Sequence, residues 1–156
     1  MPGRPTLEFV REIIKFDGLN FRGLMGYEGA FFELPNFEER KTATLKRVAL
    51  LTETVEMLED DGINVDIVSA GSTGTHNITG EYPRITEVEA GSYVFMDSTY
   101  SKLEGFDFKC ALTVLATVIS RPVPHRIITN VGLKAITKEL GMPLRPLLEA
   151  SPIPLL

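Results

Sequence analysis

Residues 64–76, Asn-Val-Asp-Ile-Val-Ser-Ala-Gly-Ser-Thr-Gly-Thr-His, limit the possible folds more than any other stretch of the chain. Val65, Ile67 and Val68 form a short β-branched run of the kind found in strands covered on both faces, as in a parallel sheet. The run ends abruptly in glycines and hydroxyl residues. Gly71 and Gly74 lack a Cβ, so the backbone there can turn tightly and come close to a ligand. Ser72, Thr73 and Thr75 add hydroxyl donors, and successive N–H groups in such a turn form a concavity suited to an anion. An ordinary glycine–serine loop has the same composition, so the stretch alone is open to both readings.

The residues before it complete a unit. Phe21 to Met25 reads as a short strand, and Gly26-Tyr27-Glu28-Gly29 follows as a loop whose tyrosine can stack on or hydrogen-bond a ligand, or simply cap the sheet edge. Asn36 with Glu39 three residues later is a helix-start pattern. Leu45, Val48, Leu51, Val55 and Leu58 then line one helical face to about Asp60. Glu59-Asp60-Asp61 reads as a solvated helix end rather than a metal site, and Gly62 is the stop. Residues 21–76 thus predict a βαβ unit with a right-handed crossover. Ligands of such units sit at the carboxyl ends of the strands, so Tyr27 and the 71–75 loop should face the same side. Upstream, residues 5–17 predict a helix with Leu7, Val10, Ile13 and Ile14 on one face, stopped at Gly18.

Downstream, Thr86 to Val88 predicts another short strand. Ala90-Gly91-Ser92 is a second small-residue turn, able to offer amides to the same anion. Tyr93 is either a ligand contact or plain aromatic packing, and Val94 and Phe95 are expected in the core. A domain boundary is placed near residues 101–109. Leu112 to Ile119 and Arg126 to Val131 predict two strands joined by a turn at Arg121-Pro122-Val123-Pro124, an antiparallel hairpin of a different module. Pro143, Pro146, Pro152 and Pro154 deny residues 142–156 a regular helix or central strand.

Charge and composition exclude some classes of function. The 156 residues carry a formal charge of −5 and no Lys/Arg cluster, which argues against nucleic acid as a partner. No stretch has signal-peptide or membrane-spanning character, so the expected compartment is the cytoplasm, without membrane association. Cys110, the single cysteine, is expected to be a buried structural thiol. His76 and His125 lack partner spacing for a metal.

Three segments in order, Gly23-Leu24-Met25-Gly26-Tyr27-Glu28-Gly29, Val68 to Thr75 and Thr86 to Asp97, resemble the D-threonine aldolase / D-serine dehydratase-like family; Thr117 to Pro122 and Val131 to Ala135 resemble the start of its β-domain. The resemblance spans roughly residues 5–141. It implies an α/β fold: part of a TIM-like (β/α) barrel of the alanine racemase type (pyridoxal-phosphate fold type III) over residues 1–104, then the first strands of a C-terminal β-domain over residues 105–156. It implies pyridoxal 5'-phosphate as cofactor and a lyase acting on small D-amino acids. By the same resemblance Gly71, Ser72, Thr73, Gly91 and Ser92 would hold the cofactor phosphate, Tyr93 would support it, and Tyr27 would lie near the ring or substrate.

The family often has His where Ala30 stands, which bears on substrate identity. Its Schiff-base lysine lies upstream of these residues and its metal ligands downstream, so a divalent metal is implied only for a full-length protein. Lys41, Lys46 and Lys134 are poor replacements, and no catalytic or metal residue is assigned to this chain. A closed barrel needs roughly 250 residues, so the chain is expected to be incomplete, with sheet edges able to pair in a homo-oligomer. A non-catalytic phosphate-ligand binding or assembly module is the alternative from another class, and a racemase-like activity is a third.

Overall fold

A computed structural model of the chain describes residues 1–28, 34–105, 107–132 and 134–136. Gly29, Ala30, Leu133 and the proline-bearing residues 142–156 lie outside the described residues. Helix α1 (Arg4–Ile13) precedes strand β1 (Gly23–Gly26), long helix α2 (Phe37–Asp60), strand β2 (Ile67–Ala70), short helix α3 (His76–Thr79) and strand β3 (Glu87–Val88); β4 (Val118–Val123) and β5 (Arg126–Thr129) follow.

Helix α2 starts as its sequence predicts. The Asn36 side chain accepts a hydrogen bond from the Glu39 amide at 3.1 Å, and Glu38 and Glu39 sit in the first turn. Val48, Val55 and Leu58 on its inner face are buried. With Val10, Val65 and Val68 they make the core, flanked by Leu7, Phe21, Leu24, Leu51, Ile63 and Ile85. The Gly3 amide donates to Thr54 Oγ1 at 2.8 Å and docks the start of α1 on α2.

Strands β1, β2 and β3 form a parallel sheet in that order, with Leu24 beside Val68, Met25 beside Ser69 and Ser69 beside Glu87. Side chains alternate across it. Leu24, Val68 and Ala70 turn to the helical layer, and a Cβ on Gly26 would meet Leu51 at 3.0 Å. Met25, Ser69, Glu87 and Glu89 share the other face, where Met25 is 66% exposed. The expectation of a strand covered on both faces holds in part: Val68 and Ala70 on the helical face and Ser69 on the other are buried, whereas Ile67 is half-buried.

The hairpin also departs in detail. β4 and β5 pair antiparallel as expected, but residues 111–117 are not a strand, and Arg121 to Val123 continue β4 rather than turn. The reversal falls at Pro124-His125, where the Arg121 guanidinium donates to the Pro124 carbonyl at 2.7 Å. Every residue of the hairpin is exposed. Cys110 is exposed, and so are Val94 and Phe95, contrary to expectation: Val94 and Phe95 keep more than half of their surface open, and the Phe95 carbonyl takes the Ala111 amide at 2.9 Å.

The acidic end of α2 is paired rather than merely solvated. Arg11 donates to Asp61 through Nε at 2.7 Å and through Nη2, and Arg84 pairs with Glu59. The hydrogen bond from Arg11 holds the Asp61 carboxyl below its ordinary value. A carboxyl depressed in the folded state contributes stability above its unfolded value, roughly 3.9, and loses it as pH falls through the folded value. We expect wild-type thermal stability to decline more steeply through this acid range than that of D61N. Parallel melting curves at every pH would contradict the pairing.

Candidate functional site

The turn after β2 is built by hydrogen bonds among its own short side chains. Gly71 has φ +85°, and a Cβ there would lie 2.9 Å from Val88 Cγ1, so both backbone and space demand glycine. Beyond it the Ser72 amide donates to Thr75 Oγ1 at 3.0 Å, and the Thr75 amide returns to the Ser72 carbonyl at 3.1 Å. His76 Nδ1 lies 2.9 Å from the Thr73 carbonyl. Ser72, Thr73 and Thr75 are all nearly fully buried.

The second predicted turn is brought against the first. The Tyr93 amide donates to Thr73 Oγ1 at 3.1 Å. Phe108 bridges both segments, its ring centroid 5.1 Å from that of His76 and 5.5 Å from that of Tyr93. Tyr100 closes a third side: its Cε1 would be 3.3 Å from a Cβ on Gly74. Burial pushes the Tyr100 phenol above its ordinary value, the nearby Tyr27 phenol adds to this, and a hydrogen bond with the Ser92 side chain opposes it. The amides of Thr73, Gly74, Gly91 and Ser92 donate to no protein acceptor among the described residues. Gly91 and Ser92 are exposed. A separate hollow of about 580 Å³, lined by Thr6, Leu24, Arg47, Leu50 and Thr54, also takes in Tyr27 and Glu28 but includes none of the residues of either turn.

Two charged residues that the sequence did not single out hold this arrangement. Glu28, 7% exposed, accepts from the Gly71 amide at 3.0 Å, from the Thr75 hydroxyl at 2.7 Å and from the Thr79 hydroxyl at 2.6 Å. Arg40, fully buried, donates to the carbonyls of Gly74 at 2.9 Å, Leu34 at 2.8 Å, Pro35 at 3.1 Å and Glu104 at 2.5 Å. Burial lowers the Arg40 pKa, and Glu104 opposes that shift. A signal for Arg40 existed: it lies two helical turns before Val48 on the same face. Glu28 had none, since a glutamate beside glycines reads as loop.

None of the candidate lysines stands in the turn. Lys41 and Lys46 are exposed on α2, Lys41 over the Phe37 ring at 5.9 Å, and Lys134 is exposed. Among the described residues no group of three or more His, Cys, Asp or Glu could hold a metal.

Removing Arg40 would leave the buried Gly74 carbonyl without this donor, at about 1–3 kcal/mol, and take a donor from the part-buried carbonyls of Leu34 and Glu104. We expect R40M to lose about 1–3 kcal/mol in urea unfolding, and R40K to lose less because it keeps the charge and some donors. A loss in R40M below about 1 kcal/mol would contradict this role.

The family model described as "Putative serine dehydratase domain" matches residues 111–152. The D-threonine aldolase of Arthrobacter sp is 36% identical over 141 residues, covering 88% of this chain and 37% of that protein. The crystal structure of D-threonine aldolase from Filomicrobium marinum superposes with a TM-score of 0.87 at 29% identity, covering 92% of this chain and 39% of the other. An alanine racemase-like protein of Idiomarina loihiensis superposes with a TM-score of 0.72 at 27% identity, covering 88% of this chain and 37% of the other. The chain spans about two fifths of the length of the curated relatives it matches. Over the part of them that it covers, the chain is a relative of the D-threonine aldolase and D-serine dehydratase-like proteins and shares their alanine racemase-like fold.

Proposed function

We propose that this chain carries the phosphate-holding part of a pyridoxal-phosphate-dependent lyase acting on D-amino acids, of the aldolase or dehydratase type. The observation that carries the proposal is the hydrogen bond joining the two turns, Tyr93 amide to Thr73 hydroxyl, with unengaged amides on both sides of it. The amides of Thr73, Gly74, Gly91 and Ser92 and the hydroxyls of Thr73 and Ser92 would hold the phosphate, with Ser72 shaping the turn that presents them. A ligand would enter from the exposed Gly91–Ser92 side. Gly74 suits such a cradle because a side chain there would press on Tyr100. Tyr27 and Tyr93 would flank the bound molecule. When bound, the cofactor supplies an electron sink for bond cleavage at the substrate α-carbon. The residues of this chain bind and orient it, and none is assigned a bond-breaking or covalent role.

In this reading β1, β2 and β3 are neighbouring strands of a TIM-like barrel, the division into domains falls near residues 104 and 105, and the compartment is the cytoplasm. No helix among the described residues is long and apolar enough to cross a membrane.

Pyridoxal phosphate titrated into the protein should give saturable binding, weakened at least tenfold by S72A combined with T73V. Borohydride reduction and mass mapping should find no stoichiometric lysine adduct. A single-site stoichiometric adduct would overturn the absence of a covalent lysine, and unsaturable binding would overturn the phosphate assignment.

The exposed hairpin favours a second reading, an assembly module. Val118 is 59% exposed and Ile119 64%, more apolar surface than a lone hairpin tolerates in water. Sedimentation should then show a concentration-dependent oligomer, reduced by I119K combined with I128K. A monomer at all concentrations would remove this reading.

A further inference from the structure

We infer that Glu28 is a positioning residue for the anion-binding turn, selecting which of its donors face a ligand; the inference rests on the phosphate reading above. Glu28 lies outside the turn in sequence, at the end of the first strand, yet its carboxylate reaches the turn at both ends. Oε2 takes the Gly71 amide, and Oε1 takes the Thr75 and Thr79 hydroxyls. Among the described residues no lysine or arginine pairs with it, and these three donors stabilise the buried carboxylate.

The consequence is directional. A hydroxyl has one proton. Thr75 commits its proton to Glu28, so towards Ser72 it can only accept. It accepts the Ser72 amide at 3.0 Å and lies 3.2 Å from Ser72 Oγ. The Gly71 and Ser72 amides are therefore engaged within the protein. The Ser72 hydroxyl proton is turned to Thr75 Oγ1 in the same way, so the Thr73 and Gly74 amides, with the Thr73 hydroxyl proton, are what the turn has left to give an anion. Glu28 does not touch the ligand in this scheme. It acts through Gly71 and Thr75.

E28Q keeps size and polarity but replaces one acceptor oxygen by a donor, so it cannot take the Gly71 amide and both hydroxyl protons together. We expect E28Q to bind inorganic phosphate and pyridoxal phosphate at least fivefold more weakly, in equal proportion, with pyridoxal itself unaffected. In ¹⁵N-labelled wild type, inorganic phosphate should shift the Thr73 and Gly74 amides and leave Gly71 nearly still; E28Q alone should shift Gly71. Should E28Q fail to fold, T75V removes the link to Ser72 at nearly constant volume and should weaken phosphate to the same extent. Undiminished phosphate affinity in the folded variant, or a Gly71 amide that responds most strongly to phosphate, overturns the role of Glu28 while the phosphate reading stands. Wild type that binds no phosphate, with Gly71 still shifted by E28Q, overturns the phosphate reading and leaves Glu28 as the anchor of the turn.

Discussion

The buried carboxylate of Glu28 and the buried guanidinium of Arg40 take hold of the same five-residue turn from different elements. Glu28 arrives from the end of β1 and accepts the amide and hydroxyl protons of Gly71 and Thr75; Arg40 arrives from α2 and donates to the carbonyl of Gly74. Each is an ionic group out of water held by several hydrogen bonds to backbone or hydroxyl partners. That arrangement is stable only while every partner is present, because a buried charge with missing hydrogen bonds is costly. The turn, the end of the first strand and the start of the long helix therefore hold their geometry together.

The rest of the fold serves that junction. The parallel register, Gly26 beside Ala70 and Ala70 beside Val88, brings the ends of three strands to one side of the sheet. Small residues at those ends let the chain pass close to the helix and to the neighbouring strand. Loops in that position are where parallel α/β sheets bind ligands. The second turn then joins the first through Thr73, and Phe108 packs on an aromatic residue from each side.

Much of this could be read from the residues. The βαβ order, the Asn36 cap, the stop at Gly62 and the two small-residue turns rest on local chemistry, and their structure follows that chemistry. The errors share a physical cause. Ile67, Val94, Phe95 and Cys110 read as interior because they are apolar, but burial depends on what lies opposite, which no local pattern records. Glu28 and Arg40 escaped for the converse reason. Charged side chains in loops and on helix ends read as solvent-facing, and only tertiary hydrogen bonds reveal them as interior.

The central claim is that two turns some twenty positions apart act on one anion. The most direct measurement is an amide-resolved titration of the ¹⁵N-labelled protein with pyridoxal phosphate. The account predicts that Thr73, Gly74, Gly91 and Ser92 shift together along one saturation curve. Shifts confined to one turn, or clustered instead around Thr6, Leu50 and Thr54 beside the separate hollow, would contradict it.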